Sequence, residues 1–140
     1  MSQRNQRWAV LFIRLFLGGI FLIAAYGKIV MGGVPTWGTD LYDKFSQTFL
    51  PRTFLTVFIY VLPFAELAAG IGLLLGIYRK GSFMLAIMLF MVLSQGEFMV
   101  QEYATAAHNG VYFLTSIAGL VMLSKPCFAI DSYFTGPTTT

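Results

Sequence analysis

The sequence has one cysteine, Cys127, and one histidine, His108. A single thiol cannot close an intramolecular disulfide, and neither residue alone builds a zinc, haem or multi-cysteine metal site. Charge is scarce too. Asp, Glu, Lys and Arg make up 11% of 140 residues, where a soluble globular domain carries about 25%. So few charges do not cover a water-facing surface, which argues against a water-soluble fold. The same composition argues against a disordered chain, a disulfide scaffold, collagen or a coiled coil. No nucleophilic triad, phosphate loop or metal-ligand spacing is present in the sequence.

Apolar runs are abundant. Hydrophobic residues make up 57%, and mean hydropathy is +0.74. A helix crosses a bilayer core with about 20 mostly apolar residues. Four runs meet or approach that length: 8–30, 54–78, 82–100 and 107–123. Arg4 and Arg7 precede the first run as in a signal peptide. That run is long, contains Arg14 and lacks a clear A-x-A site, so it reads as a retained helix. Residues 1–140 read as a single integral membrane domain.

Between the first two runs, Gly32-Gly33-Val34-Pro35 breaks the helix. Leu41, Phe45 and Phe49 then recur at helical spacing beside Asp40, Asp43 and Lys44, and Pro51 follows. This predicts a short amphipathic helix, starting near Trp37 and lying in the membrane interface. The expected fold class is all-α: a four-transmembrane-helix bundle with that interfacial helix between its first two spans.

The net charge is +3, but the basic residues flank apolar runs, so topology explains them better than nucleic-acid binding. With four spans, Arg4, Arg7, Arg79, Lys80 and Lys125 share one side. Lys44 and Arg52 lie opposite, with Lys28 at the end of its span. The excess places both termini in the cytoplasm of a cell bounded by an inner membrane.

Charges within a span cost a few kcal/mol each, which makes them candidate functional residues. Arg14, Glu66 and Glu97 are the clearest, with Lys28 and His108 nearer the ends. Two readings stand side by side. In the structural one, Arg14 pairs with Glu66, and Lys28 with Glu97. In the functional one, Arg14, Glu66, Glu97 and His108 contact a ligand or a quinone head group, with His108 titrating beside a carboxylate. Gly18, Gly70, Gly72 and Gly76 are candidate helix-packing positions, the last two as a G-x-x-x-G motif. Met84, Met88 and Met91 share a stripe opposite Phe83, Ala86 and Phe90. Without His or Cys in register, that stripe reads as packing or lipid contact rather than a metal site.

The first span reads Arg14-Leu15-Phe16-Leu17-Gly18-Gly19-Ile20-Phe21, then Ala25-Tyr26-Gly27-Lys28. The second carries Glu66-Leu67-Ala68-Ala69-Gly70-Ile71-Gly72-Leu73-Leu74-Leu75-Gly76, and the chain later reads Ala129-Ile130-Asp131 after a Pro. In order and spacing these resemble the DoxX family of small four-helix membrane proteins. The resemblance implies an accessory membrane subunit of a redox or maturation complex, or a relative of the small subunit of a thiosulfate:quinone oxidoreductase.

Two functions are expected. One is a non-catalytic accessory or structural subunit of a larger inner-membrane respiratory or redox assembly. Its partners would be membrane lipids and other membrane-protein subunits, with no covalently bound cofactor and no metal. The other is a quinone-interacting oxidoreductase subunit. A transporter comes third, because four spans without a repeat leave little room for alternating access.

Overall fold

The computed structural model describes residues 3–123. Lys125, Cys127 and the 129–131 stretch lie outside the described residues. Five α-helices follow in order: α1 (Gln3–Tyr26), α2 (Gly33–Phe45), α3 (Arg52–Leu75), α4 (Arg79–Met99) and α5 (Tyr103–Val121). A π-helical turn, Gly27–Met31, prolongs α1. No strand occurs among the described residues. The fold is therefore all-α. Gln3–Met31, Arg52–Leu75 and Arg79–Met99 are long and apolar enough to cross a membrane. α5 is not among these three: His108, Asn109 and its hydroxyl residues dilute its 19 residues.

α1 packs against α3, and α4 against α5. A lesser α3–α4 contact and a still smaller α1–α5 contact close the ring. Phe21 and Phe90 meet across its diagonal with centroids 4.5 Å apart, and Tyr112 lies 5.4 Å from Phe90. Leu17, Leu62, Leu73, Phe83 and Ala86 complete a buried core. Phe12, Phe16, Ile23, Phe64, Met88 and Leu114 face outward, as side chains solvated by lipid do. In a bilayer, burial of apolar surface gives helices little reason to associate, so close packing and interhelical hydrogen bonds must do it.

Both are present. A Cβ on Gly18 would stand 3.1 Å from the Gly70 carbonyl oxygen, and one on Gly70 3.1 Å from that of Gly18. The two backbones touch there, and the contact fixes the antiparallel α1–α3 register. Ser94 Oγ donates to the Ala106 carbonyl at 3.0 Å, tying α4 to α5. At the other end Gln6 Nε2 donates to the Met122 carbonyl at 3.0 Å.

Gly72 and Gly76 do not act as one G-x-x-x-G face. A side chain on Gly72 would run into Ser82 Oγ of α4. Gly76 ends α3 in the left-handed region, φ +68°, where Ile77 N–H returns to the Gly72 carbonyl at 3.1 Å.

The chain reverses between α1 and α2 at Gly33, φ +70°. α2 begins there, four residues before the expected start. Pro35 lies in its first turn, where a missing N–H costs no helical bond. The helix ends at Phe45, so Phe49 stands outside it and is exposed.

Candidate functional site

α2 folds back over the start of α3 and the end of α4 and is held from three sides. Gly38 lets it approach α3, since a Cβ there would lie 3.0 Å from Ile59 Cγ2. Tyr42 hydrogen-bonds the Thr56 hydroxyl, and the Arg52 guanidinium lies 5.2 Å from the Tyr42 ring centroid. Towards the π turn, Trp37 stacks on the Lys28 ammonium with 5.4 Å to the ring centroid. Towards α4, Phe45 fills the space above Gly96, and Lys44 Nζ donates to Glu97 Oε2 at 2.7 Å.

Beneath α2 lies a cavity of about 410 Å³. Its walls are the first half of α3 (Phe54, Leu55, Phe58, Leu62) and the second half of α4, from Met91 to Met99. Trp37, Leu41 and Phe45 of α2 roof it, and Lys28, Asp40, Lys44 and Glu97 supply its charges. The wedge shape follows from the connectivity. α3 and α4 are joined by a tight turn at their far end, leaving the space at this end to α2.

Lys28 Nζ donates to both Glu66 oxygens, at 2.8 Å and 2.7 Å. Glu66 is 1% exposed. The expected Arg14–Glu66 and Lys28–Glu97 pairs are therefore replaced by Lys28–Glu66 and Lys44–Glu97. Side-chain direction explains the exchange. Helical side chains lean towards the N-terminus of their own helix. In antiparallel α1 and α3, Arg14 leans away from Glu66, whereas Lys28 and Glu66 lean towards each other. Arg14, itself 1% exposed, instead donates through Nε to the Leu73 carbonyl at 2.8 Å and through a terminal nitrogen to that of Leu74 at 3.3 Å. Those are among the last carbonyls of α3, which have no helical partner and sit at the negative end of its dipole.

The four residues expected around a quinone are not gathered at one site. Arg14 stands at the opposite end of the bundle, and Glu66 lies behind Lys28. Glu97 lines the cavity, and His108 is exposed on α5 and does not line it. Lys44, Trp37, Asp40 and the α3 aromatic residues were not selected from sequence. The signal was available. Trp37, Leu41 and Phe45 follow at i, i+4 and i+8 and define the inward face of α2, with Lys44 at its edge. No group of three or more His, Cys, Asp or Glu able to hold a metal ion occurs among the described residues.

The profile of a family described as Methylamine utilisation protein MauE matches residues 6–110. This overturns the resemblance to DoxX. The residues that carried it, Arg14, Gly18, Glu66 and Gly70, join α1 to α3 directly or through Lys28, and helix-joining residues of this kind do not identify one family. No curated protein and no solved structure matches the chain. The matched segment holds α1 from residue 6 onwards, α2 to α4, both ion pairs and the whole lining of the cavity.

Proposed function

The chain belongs to the MauE family, and from that premise we propose that it is a multi-pass accessory component of a methylamine utilisation system, with no catalytic centre of its own. It is a membrane protein with transmembrane helices. The observation that carries the proposal is the match across residues 6–110, which takes in the cavity and its charges together. The ion pairs agree with it. Glu66 and Glu97 each face a lysine at 2.7 Å, an arrangement that holds helices in place rather than pairing a nucleophile with a base.

In this reading α5 is the fourth span. It carries no Asp, Glu, Lys or Arg, and 19 residues at 1.5 Å each extend about 28 Å, close to the hydrocarbon thickness. The bundle sits in a cytoplasmic membrane, with both termini inside and α2 at the outer interface. Its partners are lipids and other membrane subunits of the methylamine system, in place of the respiratory complex expected from sequence.

Deleting the gene from its own host tests the reading. Growth on methylamine should fail while growth on ammonium and a sugar is kept, and a tagged copy should restore it. Normal growth of the deletion strain on methylamine overturns the proposal.

A further inference from the structure

We propose that the cavity beneath α2 binds a neutral, membrane-dissolved amphiphile: an apolar tail bearing an uncharged, oxygen-containing head. The inference rests on the cavity and not on the methylamine reading.

Its chemistry selects against ions. Four charged side chains line it: Lys28 and Lys44, Asp40 and Glu97. They sum to zero. Lys44 and Glu97 are committed to each other, and Lys28 to Glu66 behind the wall. An anionic head would have to displace a carboxylate from a pair already closed at 2.7 Å, and a cationic head finds outside those pairs only Asp40, which is exposed. A neutral oxygen acceptor asks for less. The Lys28 ammonium has three N–H donors, of which two go to Glu66, leaving one for a carbonyl or hydroxyl group.

Apart from Gln95 the rest of the lining is largely apolar, with Phe45, Phe54, Phe58 and Leu62 as its main surfaces. At about 410 Å³ the volume falls within the few hundred Å³ usual for small-molecule sites. The entrance faces lipid. Phe54 on α3 and Met91 and Val92 on α4 line the cavity and are also 52%, 54% and 46% exposed. They mark the α3–α4 seam as a lateral opening, while the Lys44–Glu97 pair spans the gap between α2 and α4. A ligand entering through such a seam is one dissolved in the bilayer.

The test uses the full chain in nanodiscs with Trp8→Phe, which leaves Trp37 as its only tryptophan. Three probes share one brominated twelve-carbon tail: bromododecanol, bromododecanoate and bromododecyltrimethylammonium. Bromine quenches tryptophan by contact, so each probe reports its own occupancy beside Trp37. Bromododecanol should quench saturably, at a concentration about tenfold below that of either charged probe. Unbrominated dodecanol should relieve the quenching. Val92→Phe, which narrows the seam, should weaken it about tenfold. Competition by a decyl-benzoquinone or by a monoacylglycerol then identifies a quinone or a lipid as the natural source. Two outcomes overturn the proposal: quenching that rises linearly without saturation, and tighter binding of a charged probe. Both are read in Trp8→Phe alone, so the test stands even if Val92→Phe fails to fold.

Discussion

Lys28 and Glu66 show how side-chain direction decides pairing inside a bilayer. The two lean towards each other across the α1–α3 contact, and their charges meet where neither can be left alone cheaply. Removing one member of a buried pair costs about 3–5 kcal/mol, because the other stays charged and desolvated. Here the lower end applies, since the Lys28 side chain keeps 18% exposure and can reach towards the interface. A double-mutant cycle with Lys28→Met and Glu66→Leu should therefore return a coupling of about 2–3 kcal/mol, read from reversible unfolding in mixed micelles. The double variant should be nearly as stable as the parent. The same cycle on Arg14 and Glu66 should be additive within about 0.5 kcal/mol. Arg14 binds level with Leu74, eight residues or about 12 Å along α3 from Glu66. Coupling between Arg14 and Glu66 as large as that of the Lys28 pair would refute the assigned register. Arg14→Lys separately tests the cap on α3. A single ammonium does not reproduce the guanidinium fork over two successive carbonyls, and a loss of about 1–2 kcal/mol is expected in the same assay.

At the scale of elements, the α1–α3 seam makes a glycine within it and a glycine outside it behave oppositely. Alanine is the better helix former by about 1 kcal/mol. At Gly19 nothing lies within 4 Å of an added Cβ, so Gly19→Ala should be neutral or raise the unfolding temperature. At Gly70 the Cβ would meet Leu22 at 2.9 Å and the Gly18 carbonyl at 3.1 Å. Leu22 can turn aside but the backbone cannot, so Gly70→Ala should cost about 1–3 kcal/mol despite its propensity. Equal melting temperatures for the two variants would count against the close crossing. The existence of the long helices was legible in the sequence because runs of apolar residues have few other uses. Their ends were not. Each begins about two to five residues ahead of its apolar run, at Gln3, Arg52, Arg79 and Tyr103, where polar side chains occupy the first turn. The π turn at Gly27–Met31 had no signal, since it closes its helix and no further turns follow whose hydrophobic register could reveal the extra residue. The cavity was legible only in its parts. Leu41, Phe45 and Phe49 announced an amphipathic helix, but which helices it would cover depended on the reversal at Gly33 and on the gap between α3 and α4.

For the whole molecule, the open question of arrangement is α5, the helix whose polar content keeps it apart from the three clear spans. Its position in the bundle argues for a span. α5 runs antiparallel beside α4 along most of its length, with Ser94 bonded to Ala106 near one end and Gly119 against Phe83 near the other. A partner that crosses the bilayer over the length of α4 leaves α5 nowhere else to lie. The basic residues give the same answer. Arg79 and Lys80 start α4, while Glu102 precedes α5, and the proposed arrangement accordingly puts the α3–α4 turn on the cytoplasmic side. Single cysteines placed in a Cys127→Ser background make this measurable with a membrane-impermeant maleimide. Gln47→Cys and Gln101→Cys should react in intact spheroplasts. Lys80→Cys and Leu123→Cys should react only once the membrane is permeabilised. Gln101 and Leu123 bracket α5, so labelling of both from the same side would reduce the protein to three spans and move whatever follows residue 123 to the outer face. Labelling from opposite sides establishes the fourth span. It then places Arg14, at the closed end of the α1–α3 pair, on the cytoplasmic side, and the cavity with α2 over it on the outer side.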